Sequence, residues 1–379
     1  MTCEQRVGRP RRWRLWLLSA AIVVAALGVA LVVRVGAPLT LALSLAVPRT
    51  ESWIARIQPD VVVEEVSIDA EGRRLGADLY RPAAPRAGLL LVHGLSRAGR
   101  RHPELVRLAR LLARHGRLVL VPHFEGLAAF RLSGREVAEI RAALRAVAAR
   151  QRPIGVAGLS FGAGPALIAA AEAPDLTLAA SFGGYADLYQ VIRYLTTGAH
   201  EFGERRYMRP PEEYNRWKLL ALLVDFVRND RERRLLDTIG ARKLADPGAD
   251  TRALEADLGA GGRAMLALVL NRREEAVGAL LAALPAEARA AMEQLSPLGA
   301  VARLHGRLVI AHGARDVSIP FTESLRLAAA SGGRADAVIL ETFEHTAMQS
   351  FWPAFGSRLR DARRLFSLTE ALLAAPIDS

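Results

Sequence analysis

Cysteine occurs once in this 379-residue chain, at Cys3, so no internal disulfide and no cysteine-based metal cluster can form. That cysteine precedes the first apolar run instead of following it, which also removes the pattern of a lipid-modified N-terminus. Lysine is almost missing, with Lys218 and Lys243 its two examples, and the formal net charge of +12 rests on arginines scattered among Ala, Leu and Gly. No RNA-binding signature, helix-turn-helix spacing or zinc-ligand spacing accompanies the charge, so no nucleic-acid partner is expected. Internal repeats and low-complexity tracts are lacking. With 51% hydrophobic residues, the chain can bury one large core or two smaller ones.

The N-terminus is what first stands out. Arg6, Arg9, Arg11, Arg12 and Arg14 precede the uncharged stretch LWLLSAAIVVAALGVALVV from Leu15 to Val33. Its roughly 19 residues at about 1.5 Å rise nearly match a hydrocarbon core of about 30 Å. The pattern predicts a single-pass membrane anchor, with the arginines in the cytoplasm and the body outside it, on the periplasmic side of a bacterial inner membrane. A cleaved signal peptide ending near Val35-Gly36-Ala37 and a buried soluble helix are the competing readings. The apolar stretch Leu39 to Val47 is expected to lie along the membrane or pack on the body.

From Val61 the pattern changes to short strands. VVVEEVSI, a turn at Glu71-Gly72 and LGADLY before Pro82 read as a hairpin. GLLLVHG, a helix from Pro103 to His115, RLVLVPH, a helix from Gly134 to Arg150 and PIGVAGLS follow. Leu- and Val-rich runs between helices with i, i+3, i+4 spacing predict a parallel sheet covered by helices, an α/β fold. After LAASFGGYADL the alternation stops, and from Val191 to Leu295 the chain reads as helices with no strand. The rhythm resumes with RLVIAHG, a helix from Phe321 to Ala330, DAVILETFEH and a helix from Phe351 to Leu373. The expected organisation is an N-terminal tail, anchor and linker over 1–50, a core over 51–190, a helical cap over 191–295 and the rest of the core over 296–379.

Residues 155 to 162, GVAGLSFG, place Ser160 between Gly158 and Gly162, with an apolar strand before and a helix after. A strand turning sharply into a helix lifts one side chain to the tip of the sheet, and glycines two residues either side remove what would block the bend. A serine hydroxyl needs a base to take its proton as it attacks. Of eight histidines, His345 follows the last strand and begins a loop, whereas His93 and His312 stand at strand ends before glycine, where loop shaping is expected. Asp316, just past RLVIAHG, is the expected orienting carboxylate, with Asp187 the alternative. The backbone N–H groups of Phe161, at the helix start, and of Leu95, after His93-Gly94, are the expected oxyanion donors.

In this order, LVHG, GLSFG, LSPLG, LVIAHGARDVSIP and FEH resemble the α/β-hydrolase superfamily over roughly Val61 to Leu188 and Ser296 to Leu373. The resemblance implies an eight-stranded, mostly parallel sheet, a cap inserted after the sixth strand, and Ser160, His345 and Asp316 as nucleophile, base and orienter. A serine at the elbow argues against haloalkane dehalogenases and epoxide hydrolases, which place an aspartate there. After the fourth strand this chain has PHFEGLAAFRLSG where many relatives carry an Asp-x-x-Gly-x-Gly-like turn, and the cap matches no named cap. The expected function is a membrane-anchored serine hydrolase of carboxylic esters, lipid or long-chain acyl esters among them, with no cofactor or metal. Thioester hydrolysis or acyl transfer by the same triad, a peptidase, and a non-catalytic binding module on the same fold are the alternatives. Oligomeric state is not legible.

Overall fold

The computed structural model describes residues 12–56, 58, 60–341 and 355–373. In chain order its strands are β1 (Val61–Ala70), β2 (Arg73–Pro82), β3 (Ala87–Val92), β4 (Arg117–Pro122), β5 (Ile154–Leu159), β6 (Leu176–Phe182), β7 (Ala199–Phe202), β8 (Arg205–Met208), β9 (Arg307–Gly313) and β10 (Ala335–Leu340). Eight of them form one sheet in the order β1-β2-β4-β3-β5-β6-β9-β10. Its β1·β2 and β2·β4 pairs are antiparallel and the others parallel, so the mostly parallel eight-stranded sheet of an α/β-hydrolase fold is present.

Side chains alternate across this sheet with period two, and both faces are covered. In β3, Leu90 and Val92 pack with Ile140, Leu144 and Ala166 of the helices Arg135–Ala148 and Ala163–Ala171. Leu89 and Leu91 point the other way, towards Leu105 and Leu112 of helix Pro103–Arg114 and Leu365 and Leu368 of helix Phe355–Leu373. All four strand residues are at most 3% exposed, and burying each such side chain contributes about 1.5–3 kcal/mol.

The first helix runs unbroken from Arg12 to Ala46, through Pro38. Its C-terminal part packs on the body: Leu41, Ala42 and Ser44 are buried, Thr369 Oγ1 donates to the Pro38 carbonyl at 2.9 Å, and Arg107 Nη2 to that of Ser44 at 2.6 Å. Of the two placements expected for Leu39 to Val47, the structure has the packed one. Among the described residues no helix is long and apolar enough to cross a membrane, so the anchor read from Leu15 to Val33 finds no support here.

Between β6 and β9 lie the helices Leu188–Thr197, Glu213–Leu223, Asp230–Ala245, Ala260–Leu270 and Ala286–Gln294 with shorter ones, and also the hairpin β7·β8. The expectation of no strand in this stretch was wrong. Four-residue strands are too short to show alternation, but Gly203, at φ +58°, opens a two-residue loop between Phe202 and Arg205, the position where such hairpins favour glycine. Arg131, on the loop after β4, ties these helices to the core: its guanidinium donates to Asp225 at 2.6 Å and Asp237 at 2.5 Å.

Candidate active site

The parallel strands bring the residues singled out above to one edge. Gly158 of β5 is in register with Val92 of β3 and Ser181 of β6, so His93-Gly94-Leu95 and Ser160 leave neighbouring strands side by side. Asp316 follows the end of β9 at Gly313. Clefts outside the carboxyl ends of parallel strands are where open α/β sheets bind ligands.

Ser160 starts a short 3-10 turn, Ser160–Gly162, that leads into helix Ala163–Ala171. Its φ is +51°, in the left-handed region that a residue with a Cβ rarely adopts and that costs of order 1–3 kcal/mol. Close packing holds it there. A Cβ at Gly158 would lie 2.4 Å from Ala163 Cα, and one at Gly162 would lie 2.2 Å from the His93 carbonyl oxygen. The flanking glycines are therefore required by contact as well as by the bend. Gly94 completes the arrangement, since a Cβ there would lie 2.8 Å from that of Ser160.

His93 fixes the neighbouring loop and is spent in doing so. Its Nε2 accepts the Phe124 N–H at 3.0 Å, which leaves Nδ1 to carry the proton and donate to the Gly94 carbonyl at 2.8 Å. Burial, with smaller contributions from His123 and His102, pushes its pKa down to about 4, although the Gly94 bond opposes the shift. The ring is a neutral strut between two loops, the shaping role its position before glycine predicted.

Asp316 is 3% exposed. Its Oδ1 accepts the N–H groups of Ser318 at 2.7 Å and Ile319 at 3.0 Å, and its backbone carbonyl accepts the Tyr194 hydroxyl at 3.0 Å. Oδ2 lies 3.4 Å from His312 Nε2. His312 is itself enclosed, with Nδ1 2.7 Å from Ser324 Oγ and Nε2 2.9 Å from the Ile319 carbonyl, so it too shapes a loop. Asp187, the alternative acid, is instead the N-cap of helix Leu188–Thr197, where its Oδ1 accepts the Tyr189 N–H at 2.8 Å. His345 lies outside the described residues.

A narrow cleft with about 20 Å³ of enclosed space lies over the serine. Leu95, Ser160 and Phe161 line it from the sheet edge, and Leu195, Leu219 and Leu222 from above. Met265, Leu268 and Val269 of helix Ala260–Leu270 are fully buried core. Three polar groups of the cleft went unnoticed in the sequence: Asn215, Lys218 and Ser318. Burial lowers the Lys218 pKa, with Glu212 opposing. The rarity of lysine was the available signal for that residue. Among the described residues no group of three or more His, Cys, Asp or Glu could hold a metal ion.

No protein-family model and no curated protein matches the chain. Solved structures of similar fold include the esterase domain of a Rhodothermus marinus protein, 18% identical, with 83% of this chain and 97% of that one covered and a TM-score of 0.45. A puromycin-hydrolysing peptidase of Mycobacterium tuberculosis is 17% identical over 84% of this chain and 39% of its own, TM-score 0.48. An esterase of Pyrococcus furiosus is 12% identical over 82% and 92%, TM-score 0.47. At these identities and scores none of the three carries an argument about activity.

Proposed function

We propose that this chain is a serine hydrolase that cleaves carboxylic esters through an acyl-enzyme. The observation that carries the reading is the left-handed Ser160, held between glycines that nothing larger can replace and lining a cleft together with Leu95 and Phe161. In this mechanism Ser160 Oγ attacks the ester carbonyl while His345 takes its proton and Asp316 orients the imidazole. The N–H groups of Leu95 and Phe161 hold the oxyanion, where loss of one such donor typically costs about 3 kcal/mol. His345 then returns the proton to the leaving alcohol, and activates the water that releases the acid. The leucines of the cleft favour an apolar portion of the ester beside the scissile bond. A lipid or long-chain acyl ester is the form of that reading to test by chain length, and a preference for acetyl over longer esters would overturn it.

Trp16, Leu17, Ile22, Val23 and Val24 are exposed apolar side chains on the first helix, and they favour attachment of the protein to a membrane through that helix. Fractionation of the full chain against one beginning at Glu51 tests this: both in the soluble fraction would remove it.

The chemistry is tested by treating the full-length protein with a fluorescent fluorophosphonate, beside Ser160→Ala and His345→Ala. Labelling of wild type, lost in both folded variants, is the expected result. A folded wild type that does not label would favour the non-catalytic binding module. Ester, thioester and alcohol-acceptor substrates assayed in parallel distinguish hydrolysis from acyl transfer.

A further inference from the structure

The polar groups of the cleft are not equivalent. Asn215 Nδ2 donates to the Val317 carbonyl at 3.1 Å and reaches Glu212 at 3.4 Å, and the Ser318 hydroxyl lies 3.5 Å from Asn215 Oδ1. These groups brace the loop that carries Asp316. Lys218 does not. Among the described residues no carboxylate lies within ion-pair distance of its ammonium and no hydrogen-bond acceptor takes it up; its contacts there are ring faces, Tyr214 at 4.6 Å and Phe130 at 5.7 Å. Arg97, two residues past Leu95, stands 5.9 Å from the same Phe130 ring and likewise has no ion pair among the described residues. The surroundings sharpen the contrast, because many exposed arginines here do find acidic partners, such as Arg141 with Glu172 and Arg152 with Asp175.

A half-buried ammonium loses part of its hydration, and ring faces return only part of what was lost. An anion entering the cleft would complete it through a charge-assisted hydrogen bond in a site walled by leucine, where such a bond is stronger than in water. A neutral ester offers nothing to take that place. We propose that Lys218 is a specificity-determining residue that selects esters bearing a carboxylate, with Arg97 drawing the anion to the rim. The inference rests on the hydrolase reading above and narrows its substrate class to an ester with an apolar body and an acidic group near the scissile bond.

The test compares matched ester pairs on the full-length protein: monoethyl adipate against ethyl hexanoate for an acidic acyl part, and 4-acetoxybenzoate against 4-acetoxybenzamide for an acidic leaving group. Wild type should favour the anionic member of at least one pair by about ten- to a hundredfold in kcat/KM, the size expected of one charge-assisted bond. Lys218→Met should shrink that ratio about tenfold or more, and Lys218→Arg should restore part of it. A merely structural lysine would change melting temperature and the rates on both members together, leaving the ratio alone. Equal turnover of anionic and neutral esters by wild type overturns the inference while the hydrolase reading stands, and needs no variant to fold. If 4-acetoxyphenyl phosphate outperforms 4-acetoxybenzoate, the acidic group is a phosphate and the carboxylate assignment falls. No turnover of any ester, with Ser160 unlabelled by fluorophosphonate, overturns both.

Discussion

Gly162 faces His93 so closely that a methyl group added to it would stand 2.2 Å from the His93 carbonyl oxygen. The turn that presents Ser160 and the loop that carries Leu95 are thus packed backbone to backbone, and neither can shift without the other. In the proposed mechanism the nucleophile and an oxyanion donor come from these two loops and need such rigidity, because misplacement by about 1 Å can cost about a hundredfold in rate.

Gly162→Ala should therefore be destabilised by about 1–3 kcal/mol through overpacking and should lose more activity than that change in stability explains. Gly299, where an added Cβ meets nothing within 4 Å, is the control, and Gly299→Ala should be neutral or slightly stabilising. Thermal melts and fluorophosphonate labelling rates of the two variants check the contrast. Equal behaviour would mean that the turn and loop are not rigidly coupled.

Glu323 gives a prediction in pH. It is 0% exposed, and burial raises its pKa to about 7, against the opposing pull of the Ala186 and Asp187 N–H groups bonded to its Oε2 at 3.0 and 2.8 Å. A folded-state pKa above the unfolded 4.5 means that the folded protein binds the extra proton, so stability is fullest below 4.5 and falls as pH rises to about 7. The loss is about 3 kcal/mol. Glu323→Gln should flatten that segment of a stability-against-pH curve relative to wild type, as read from urea midpoints. A parallel curve would show that the carboxyl does not titrate there.

His93 acts in the opposite direction. Its folded pKa of about 4 lies below the unfolded 6.5, so its contribution is complete above 6.5 and is lost as pH falls towards 4. His93→Phe keeps a ring but leaves the Phe124 N–H and the Gly94 carbonyl without their partners, at a cost of about 1–3 kcal/mol for each buried group. The variant should be less stable at neutral pH, should lose less on acidification than wild type, and should show a lower kcat as the Leu95 loop loosens. Identical acid limbs would remove His93 from the account.

The sequence carried the sheet and its edge well, because both rest on local signals. Runs such as LLLV and LVLV, short and bounded by turn signals, fit strands buried on both faces, and a glycine two residues either side of Ser160 marks a bend before any coordinates are known. Asp316 was legible for a related reason, since a carboxylate just past a strand end must lie at the same edge. Roles assigned by distant contacts were hidden. Of the two ring neighbours of Lys218, Tyr214 lies one turn away on its own helix, but Phe130 is far away in the chain and only the fold brings it there. Asp187, the alternative acid, was kept open by its place after a strand, and only the contact of its Oδ1 with the Tyr189 N–H shows it capping a helix. The hairpin at Ala199–Met208 was missed because four-residue strands give too few alternations to stand out.

Arg216 carries the same lesson into the cap. Among the described arginines it alone is both fully enclosed, at 1% exposure, and spread over three backbone carbonyls: Val269 at 2.6 Å, Asn271 at 2.8 Å and Thr196 at 3.0 Å. Those acceptors end the helices Ala260–Leu270 and Leu188–Thr197, while Arg216 sits on helix Glu213–Leu223 beside Asn215 and Lys218. One guanidinium therefore joins three segments of the cap at the helix that covers the cleft. Arg216→Met fills much of the volume but leaves three buried carbonyls unpaired, which should cost about 3–5 kcal/mol. Because the sheet does not depend on this contact, the loss should be local: faster hydrogen exchange across residues 196–271, with β3, β5 and β9 still protected. Ester hydrolysis should fall as the cleft wall loosens, while fluorophosphonate still labels Ser160, whose turn is held by Gly158, Gly162 and Gly94. Exchange that rises uniformly across sheet and cap would instead mean that the two unfold as one unit.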